Sequence, residues 1–223
     1  MSKKTKRIAQ FIKRLIDIVF SLVLLVIISP LFALIILAIL WEDGKPVFFL
    51  QKRLGIHGRV FLIRKFRSMV VNAEKQGAGI FIEPQDSRIT RTGRWLRKTS
   101  LDELPQLMNV LKGEMSFIGP RPPLPYYPKS YGDYEPWVKE RFSMRPGITG
   151  LAQVHGRNEI DWYERFRWDL IYVQKWTLCL DLSILFQTFT TVFKAKGIYG
   201  KNQTVDGQNN ELQKKPTKKE PPS

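Results

Sequence analysis

One cysteine, Cys179, and two histidines, His57 and His155, are all that 223 residues contain of the soft metal-binding types. A lone cysteine cannot close an intramolecular disulfide, and with only two histidines beside it a structural zinc site is excluded. Acids are scarce relative to bases: 20 Asp and Glu against 36 Lys and Arg leave a formal charge of +16. Such an excess draws a chain to nucleic acid, to a lipid surface or to a phosphorylated substrate. No internal repeat and no nucleic-acid recognition motif is present, so nucleic acid is not an expected partner. With 43% apolar residues the chain can bury a core, which excludes wholesale disorder. Any metal should be a hard ion held by carboxylates and phosphates, and magnesium fits best.

The longest feature is an apolar run from Leu15 to Trp41, broken only by Asp17, Ser21 and Ser29. Its length would span a bilayer as one straight helix, at about 1.5 Å per residue. Both flanks, however, are basic: Lys3, Lys4, Lys6, Arg7, Lys13 and Arg14 precede it, and seven Lys and Arg between Glu42 and Arg67 follow. By the positive-inside rule both ends belong on the same side. Pro30 removes a backbone donor in mid-run, and Ser29 can bond freed backbone groups, so a bend is expected there. A re-entrant helix-break-helix satisfies both flanks; a kinked spanning helix remains the alternative at this point.

Beyond Trp41 the pattern changes to that of a compact domain. Pro46–Gln51 and Val60–Phe66 read as strands of a hairpin turning at Gly55–Gly58. A short helix capped by Ser68 should run to Gln76, with a loop from Gly77 to Ser87. Helices are expected at Trp95–Lys98 and at Leu101–Lys112, the latter ending at Gly113. Gly119–Pro128 holds five prolines and must be extended and stiff. Helices at Tyr134–Phe142, Asp161–Trp176 and Leu182–Phe193 follow, with a brief extended Leu151–Val154 between the first two. Residues 202–223 are polar and should be disordered. His57 reads as solvated and Cys179 as a small buried hydrophobe.

Ser100-Leu101-Asp102-Glu103 fits a capping box, in which the two acids serve only the helix start. The neighbourhood argues for more. Arg88, Arg91, Arg94, Arg97 and Lys98 precede the pair and Arg121 follows on the proline-rich stretch, so the acids sit among cations that would favour an ionised Asp102 and hold phosphates beside it. A carboxylate so placed can attack phosphorus, with magnesium screening the anions.

SLDELPQLMNVLKGEMSFIGPRP and RPGITGLAQVHGRN, with KRLIDI, the Ser29-Pro30 break, RKFRSM and WDLIYV, resemble the monotopic bacterial phosphoglycosyl transferases over about Arg7 to Gly200. The resemblance implies an α+β, mostly helical fold: a re-entrant membrane helix-break-helix and basic N-terminus over 1–41, then a compact cytosolic catalytic domain over 42–200 with a small β-hairpin and interfacial helices. Residues 201–223 would form a disordered basic tail. The chain would be a minimal catalytic unit, without the extra N-terminal membrane helices of longer relatives. It implies transfer of a sugar-1-phosphate from a UDP-sugar to polyprenyl phosphate through a phosphosugar on Asp102, with release of UMP, in the first membrane step of glycoconjugate or polysaccharide synthesis.

By the same comparison Glu103 completes an Asp-Glu dyad that works with magnesium or in acceptor deprotonation. Lys65, Arg97, Arg121 and Arg157 match basic positions suited to diphosphate or lipid phosphate. Asp169 matches an acidic position that either supports the site or pairs with one of those cations, and His155 receives no role. Ser29 and Pro30 mark the membrane bend. The implied setting is the cytoplasmic face of the bacterial inner membrane, among phospholipid; neither the sugar nor the oligomeric state is implied.

Overall fold

A computed structural model describes residues 3–77, 79, 85–156 and 160–193. Arg157, residues 201–223 and most of the expected 77–87 loop lie outside the described residues. Helix α1 (Lys3–Ile27) meets α2 (Ser29–Asp43) at 63°. The bend falls where Ser29-Pro30 predicts it: Ser29 Oγ donates to the Val26 carbonyl at 2.8 Å, and Pro30 occupies the first turn of α2, where a missing N–H costs nothing. No single helix among the described residues is long and apolar enough to cross a membrane; the bent pair meets that length and composition only when taken together.

The basic N-terminal segment belongs to α1, which starts well before the expected Leu15. One face explains why. Lys13, Asp17 and Ser21, each four residues apart, turn toward the protein, while Phe11, Leu15, Val19 and Val26 are exposed. Lys13 pairs with Asp181 at 2.7 Å, Arg14 donates to the carbonyls of Val110 and Leu111, and Asp17 accepts from the Phe117 amide at 3.2 Å. Lys13 and Arg14 of the basic flank and Asp17 inside the apolar run thus fasten the arm to the domain.

Strands β1 (Phe48–Leu54) and β2 (Val60–Phe66) form the expected antiparallel hairpin, pairing Phe48 with Phe66 and Leu54 with Val60. Ile35 and Ile39 of α2 bury against Phe66 and Leu96, which docks the arm on the hairpin and on the helix that carries Leu96. No helix forms at Ser68–Gln76. Met69 bridges Ile89, Asn72 takes a left-handed φ of 61°, and only a 3-10 turn at Ala73–Lys75 remains. Buried Arg88, paired with Asp86, donates to the carbonyls of Ala73, Gln76 and Gly79, so a tertiary partner supplies what a helix would have satisfied internally.

Helix α3 (Arg91–Thr99) is capped by Thr90, whose Oγ1 accepts from Gly93 N at 2.9 Å. The helix expected at Leu101–Lys112 splits into a 3-10 stretch, Leu101–Gln106, and α4 (Leu107–Lys112), which ends at Gly113 with φ 84° as expected. The capping box does not form. Ser100 adopts a left-handed φ of 60°, makes no side-chain cap and instead closes α3.

Strands β3 (Ser116–Ile118) and β4 (Gly147–Thr149) pair in parallel. A Cβ on Gly147 would lie 2.1 Å from Gly119 N, and one on Gly150 would lie 2.1 Å from Gly119 O. Only glycine permits that approach, and it seats the proline-rich stretch against the second motif. Helix α5 (Pro136–Lys139) passes into a 3-10 turn at Glu140–Ser143 rather than continuing. Leu151–His155 is a short helix, α6, in place of the expected extended piece.

Helix α7 (Trp162–Lys175) is capped by Asp161, and α8 (Leu178–Phe193) starts four residues earlier than expected. Cys179 is exposed on α8, not buried, because the inward face of that helix is set by Asp181 and Ile184. His57 is exposed in the hairpin turn; His155 stacks on Trp168 with ring centroids 4.0 Å apart.

Candidate active site

Asp102 and Glu103 occupy the first turn of the 3-10 stretch, held between β2 and α3. Asn109 sets that arrangement: fully buried, it donates to the Leu62 carbonyl at 2.7 Å and accepts from the Arg64 amide at 3.1 Å. It thereby locks the segment carrying the acids to the strand carrying Lys65. Lys65 Nζ lies 2.7 Å from Glu103 Oε1, and Arg121 Nη2 lies 3.3 Å from the same oxygen. Both cations therefore serve Glu103 first. The Asp102 carboxylate, though buried, enters no ion pair among the described residues.

The two acids respond oppositely to one environment. Burial raises Asp102 above the ordinary aspartate range, and Glu103 beside it adds to this, against Lys65, Arg97 and Arg121. Burial acts on Glu103 too, but Lys65 and Arg121 outweigh it and hold that carboxyl well below its usual value. The cations that were expected to keep Asp102 ionised are thus spent mainly on its neighbour. Of the two acids, Asp102 is therefore the one that holds its proton to the higher pH.

Arg97 turns from α3 toward Asp102 and donates through Nε to Ser68 Oγ at 2.8 Å. Arg121 projects from the extended stretch, whose backbone is gripped from behind. Arg141, 2% exposed, donates to the Arg121 carbonyl and forms two bonds to Asp169 Oδ2, through Nε at 3.0 Å and through Nη2. Asp169 thus pairs with Arg141, not with Lys65, Arg97 or Arg121, and it lies behind the site rather than on its wall. Arg157 is outside the described residues.

Two cations missed in the sequence complete the set. Arg53 of β1 donates to the Pro122 carbonyl at 3.1 Å and to Gln51, which in turn donates to Glu74. Arg165 of α7 donates to the Ile160 carbonyl and lies over the Trp162 ring, 4.8 Å from its centroid. Burial, then repulsion from Arg121, lowers each guanidinium to about 10. Three guanidinium groups converging in this way define a place for an anion. No local signal marks them: Arg165 and Arg167 look alike in sequence, and only the helix face buries the first and exposes the second.

Asp102, Glu103, Lys65, Arg97, Arg121, Arg53 and Arg165 all line one cavity of about 910 Å³. The model of the bacterial sugar transferase family matches residues 8–195. This chain belongs to that family. The protein is accordingly a transferase, an enzyme of the kind that the motifs around Asp102 and Arg121 resemble. It is 42% identical over 194 residues to an uncharacterized sugar transferase, EpsL, of Bacillus subtilis, covering 87% of this chain and 93% of that one.

It is also 42% identical over 212 residues to the undecaprenyl-phosphate galactose phosphotransferase of Salmonella typhimurium, covering 87% of this chain and 43% of the relative. Likewise it is 42% identical over 192 residues to the UDP-glucose:undecaprenyl-phosphate glucose-1-phosphate transferase of Klebsiella pneumoniae, covering 84% and 41%. The chain spans about two fifths of the length of these last two proteins.

Proposed function

We propose that this sugar transferase moves a sugar-1-phosphate from a UDP-sugar to undecaprenyl or a related polyprenyl phosphate, at the cytoplasmic face of the bacterial inner membrane, early in polysaccharide or glycoconjugate assembly. The observation that carries the reading is the Asp102-Glu103 pair, buried at Asp102 and half-buried at Glu103, in a cavity whose wall holds Lys65, Arg97, Arg121, Arg53 and Arg165. The undecaprenyl phosphate named for both the Salmonella and Klebsiella relatives, and the UDP-glucose named for the Klebsiella one, support the substrate classes. The bent α1–α2 pair, with basic residues at both ends, supports a monotopic, re-entrant seat in phospholipid.

In the reaction so read, an oxygen of the ionised Asp102 carboxylate attacks the β-phosphorus of the donor. The bond from that phosphorus to the bridging oxygen breaks, UMP leaves with the electron pair, and a phosphosugar remains on Asp102. A phosphate oxygen of the lipid acceptor then attacks the same phosphorus, the bond to Asp102 breaks, and polyprenyl-diphosphate-sugar forms. Arg121, Arg53 and Arg165 hold the diphosphate and stabilise charge on the leaving phosphate, while Arg97 steadies the phosphoryl oxygens near Asp102.

Glu103, kept ionised by Lys65 and Arg121, fixes those two cations beside the substrate phosphates. Asp102 and Glu103 would hold magnesium: the Asp102 carboxylate, which enters no ion pair among the described residues, and its neighbour offer hard oxygens that substrate phosphates would complete. When bound, the ion would screen the repulsion between carboxylate and diphosphate.

The test omits the acceptor. Purified protein in lipid with magnesium and a panel of UDP-sugars should release one UMP per enzyme and gain the mass of one phosphosugar, and Asp102→Asn should do neither. Turnover with acceptor present but no adduct under any donor would replace the covalent route by direct transfer in a ternary complex.

A further inference from the structure

A buried amide normally finds its partners inside the fold, because a donor or acceptor left dry and unmet is costly. Asn109 follows that rule: its Nδ2 donates to the Leu62 carbonyl and to Glu114, both at 2.7 Å, and its Oδ1 accepts from the Arg64 amide. Gln153 does not. It is 9% exposed, its Oε1 and Nε2 are both shielded from water, and neither has a hydrogen-bond partner among the described residues. It also lines the cavity that holds Asp102.

Its neighbours explain why the amide is unmet. Gln153 lies on α6 between Ala152 and Val154, which bring no polar side chain. The cavity hydroxyls of Thr149 and Thr188 are turned to each other at 2.8 Å, and Thr188 donates to the Ile184 carbonyl at 2.7 Å, so the Thr149 proton goes to Thr188. Glycine decides where the amide sits: a Cβ on Gly150 would lie 2.9 Å from Gln153 Oε1 and 2.1 Å from Gly119 O. The amide oxygen therefore rests beside the backbone that leads, two residues on, into Arg121.

Resting on the transferase reading above, we propose that Gln153 is a recognition residue for the nucleotide-sugar donor, its amide pairing with a neutral edge of that substrate that offers a donor and an acceptor together. Because Gln153 already lines the cavity, rotation of its side chain suffices to present the amide there. Two parts of the nucleotide sugar carry such an edge: neighbouring hydroxyls of the sugar and the imide of the uracil. The remaining groups of the reaction do not match. A phosphate presents only acceptors and would leave Oε1 facing an anion, and a polyprenyl chain presents neither donor nor acceptor. An amide that is met only by substrate also selects, since an analogue lacking the matching group leaves both of its polar atoms unpaired.

The test measures binding, so it does not depend on the covalent step. In an Asp102→Asn background, with magnesium, titration calorimetry gives the Kd of the UDP-sugar that the wild-type enzyme turns over best, with and without Gln153→Met. Methionine keeps the length of the side chain and removes both polar atoms. Binding of the UDP-sugar should weaken by about tenfold or more. With Asp102 intact, the KM for polyprenyl phosphate should stay within about twofold of wild type. UMP titrated into the same pair separates the two edges: a matching loss of UMP affinity assigns Gln153 to the uracil, and an unchanged UMP affinity assigns it to the sugar.

The thermal midpoint of the ligand-free enzyme is the readout that a structural glutamine would move. Removing two unmet polar atoms should leave it unchanged or higher. A fall of more than about 2 °C overturns the proposal, because Gln153 would then be bonded within the fold. UDP-sugar binding that stays within about twofold of the background overturns it as well. If Gln153→Met does not fold, Gln153→Leu is scored in the same way, and failure of both counts as such a fall. Absence of binding by any UDP-sugar to the Asp102→Asn enzyme itself would strike at the transferase reading instead, before Gln153 is altered.

Discussion

Removing Asp169 should cost more stability than removing any single acid in the cavity, and for a reason that a paired change can isolate. The Arg141 guanidinium is 2% exposed, bonds Asp169 Oδ2 twice and the Arg121 carbonyl once, and lies between the Phe142 and Phe166 rings at 4.9 and 5.0 Å. Asp169→Ala leaves that charge buried and unpaired, a loss of about 3–5 kcal/mol. For a chain of this size each kcal/mol moves the midpoint by about 2–4 °C, so thermal unfolding should shift down by roughly 6–20 °C.

Arg141→Met with Asp169→Leu removes both charges and keeps the volume, and should recover more than half of that loss. Activity should not follow. The double variant still lacks the donor that holds the Arg121 carbonyl, so donor-only UMP release should remain depressed although the midpoint has returned. The assay is unfolding in detergent by intrinsic fluorescence, read beside UMP release on the same preparations. A single variant that melts within 2 °C of wild type, by the conversion of about 2–4 °C per kcal/mol, would refute the cost assigned to the buried charge. A double variant with wild-type activity would refute the positioning role.

Other consequences are as direct. On the proposed route Asp102 attacks as its carboxylate; since burial raises that carboxyl, the rate of donor-only UMP release should fall as pH falls through a limb lying above the ordinary aspartate value of 3.8. Lys65→Met removes a cation that lowers it, so the limb should move to higher pH; a limb that stays put contradicts the assignment. Gly93→Ala would place a Cβ 2.0 Å from the Ser68 carbonyl oxygen, forcing α3 and Arg97 away, with a loss of about 1–3 kcal/mol in unfolding and a larger loss in turnover. In a Cys179→Ser background, single cysteines placed at Ser2 and Gly44 should label from the same side of sealed vesicles; labelling from opposite sides would mean that α1–α2 spans the bilayer.

Much of the molecule was legible in order along the chain. The hairpin, the proline-stiffened stretch carrying Arg121, the Gly113 stop and the Ser29-Pro30 bend follow from local rules, because turn chemistry and proline geometry act within a few residues. The motifs around Asp102 and Arg121 also sufficed to indicate the family. Where expectation and structure part, a distant partner has replaced a local one. Ser68 serves Arg97 in place of a helix, and Arg88 takes the carbonyls of the 73–79 segment. Ser100 closes α3 instead of capping the acids.

What the sequence by itself determined is the inventory: two adjacent acids, an excess of arginine, a bent apolar arm and the rigid pieces between them. The tertiary structure alone decided which cations face which acid. Lys65 and Arg121 converge on Glu103 and leave Asp102 buried with a raised pKa, while Arg53 and Arg165, indistinguishable in sequence from their exposed neighbours, join Arg121 on the wall of the same cavity. Charge interactions and burial depend on distance through space, and residues 53, 65, 102, 121 and 165 come together only when the hairpin, the 3-10 turn and α7 pack around one cavity.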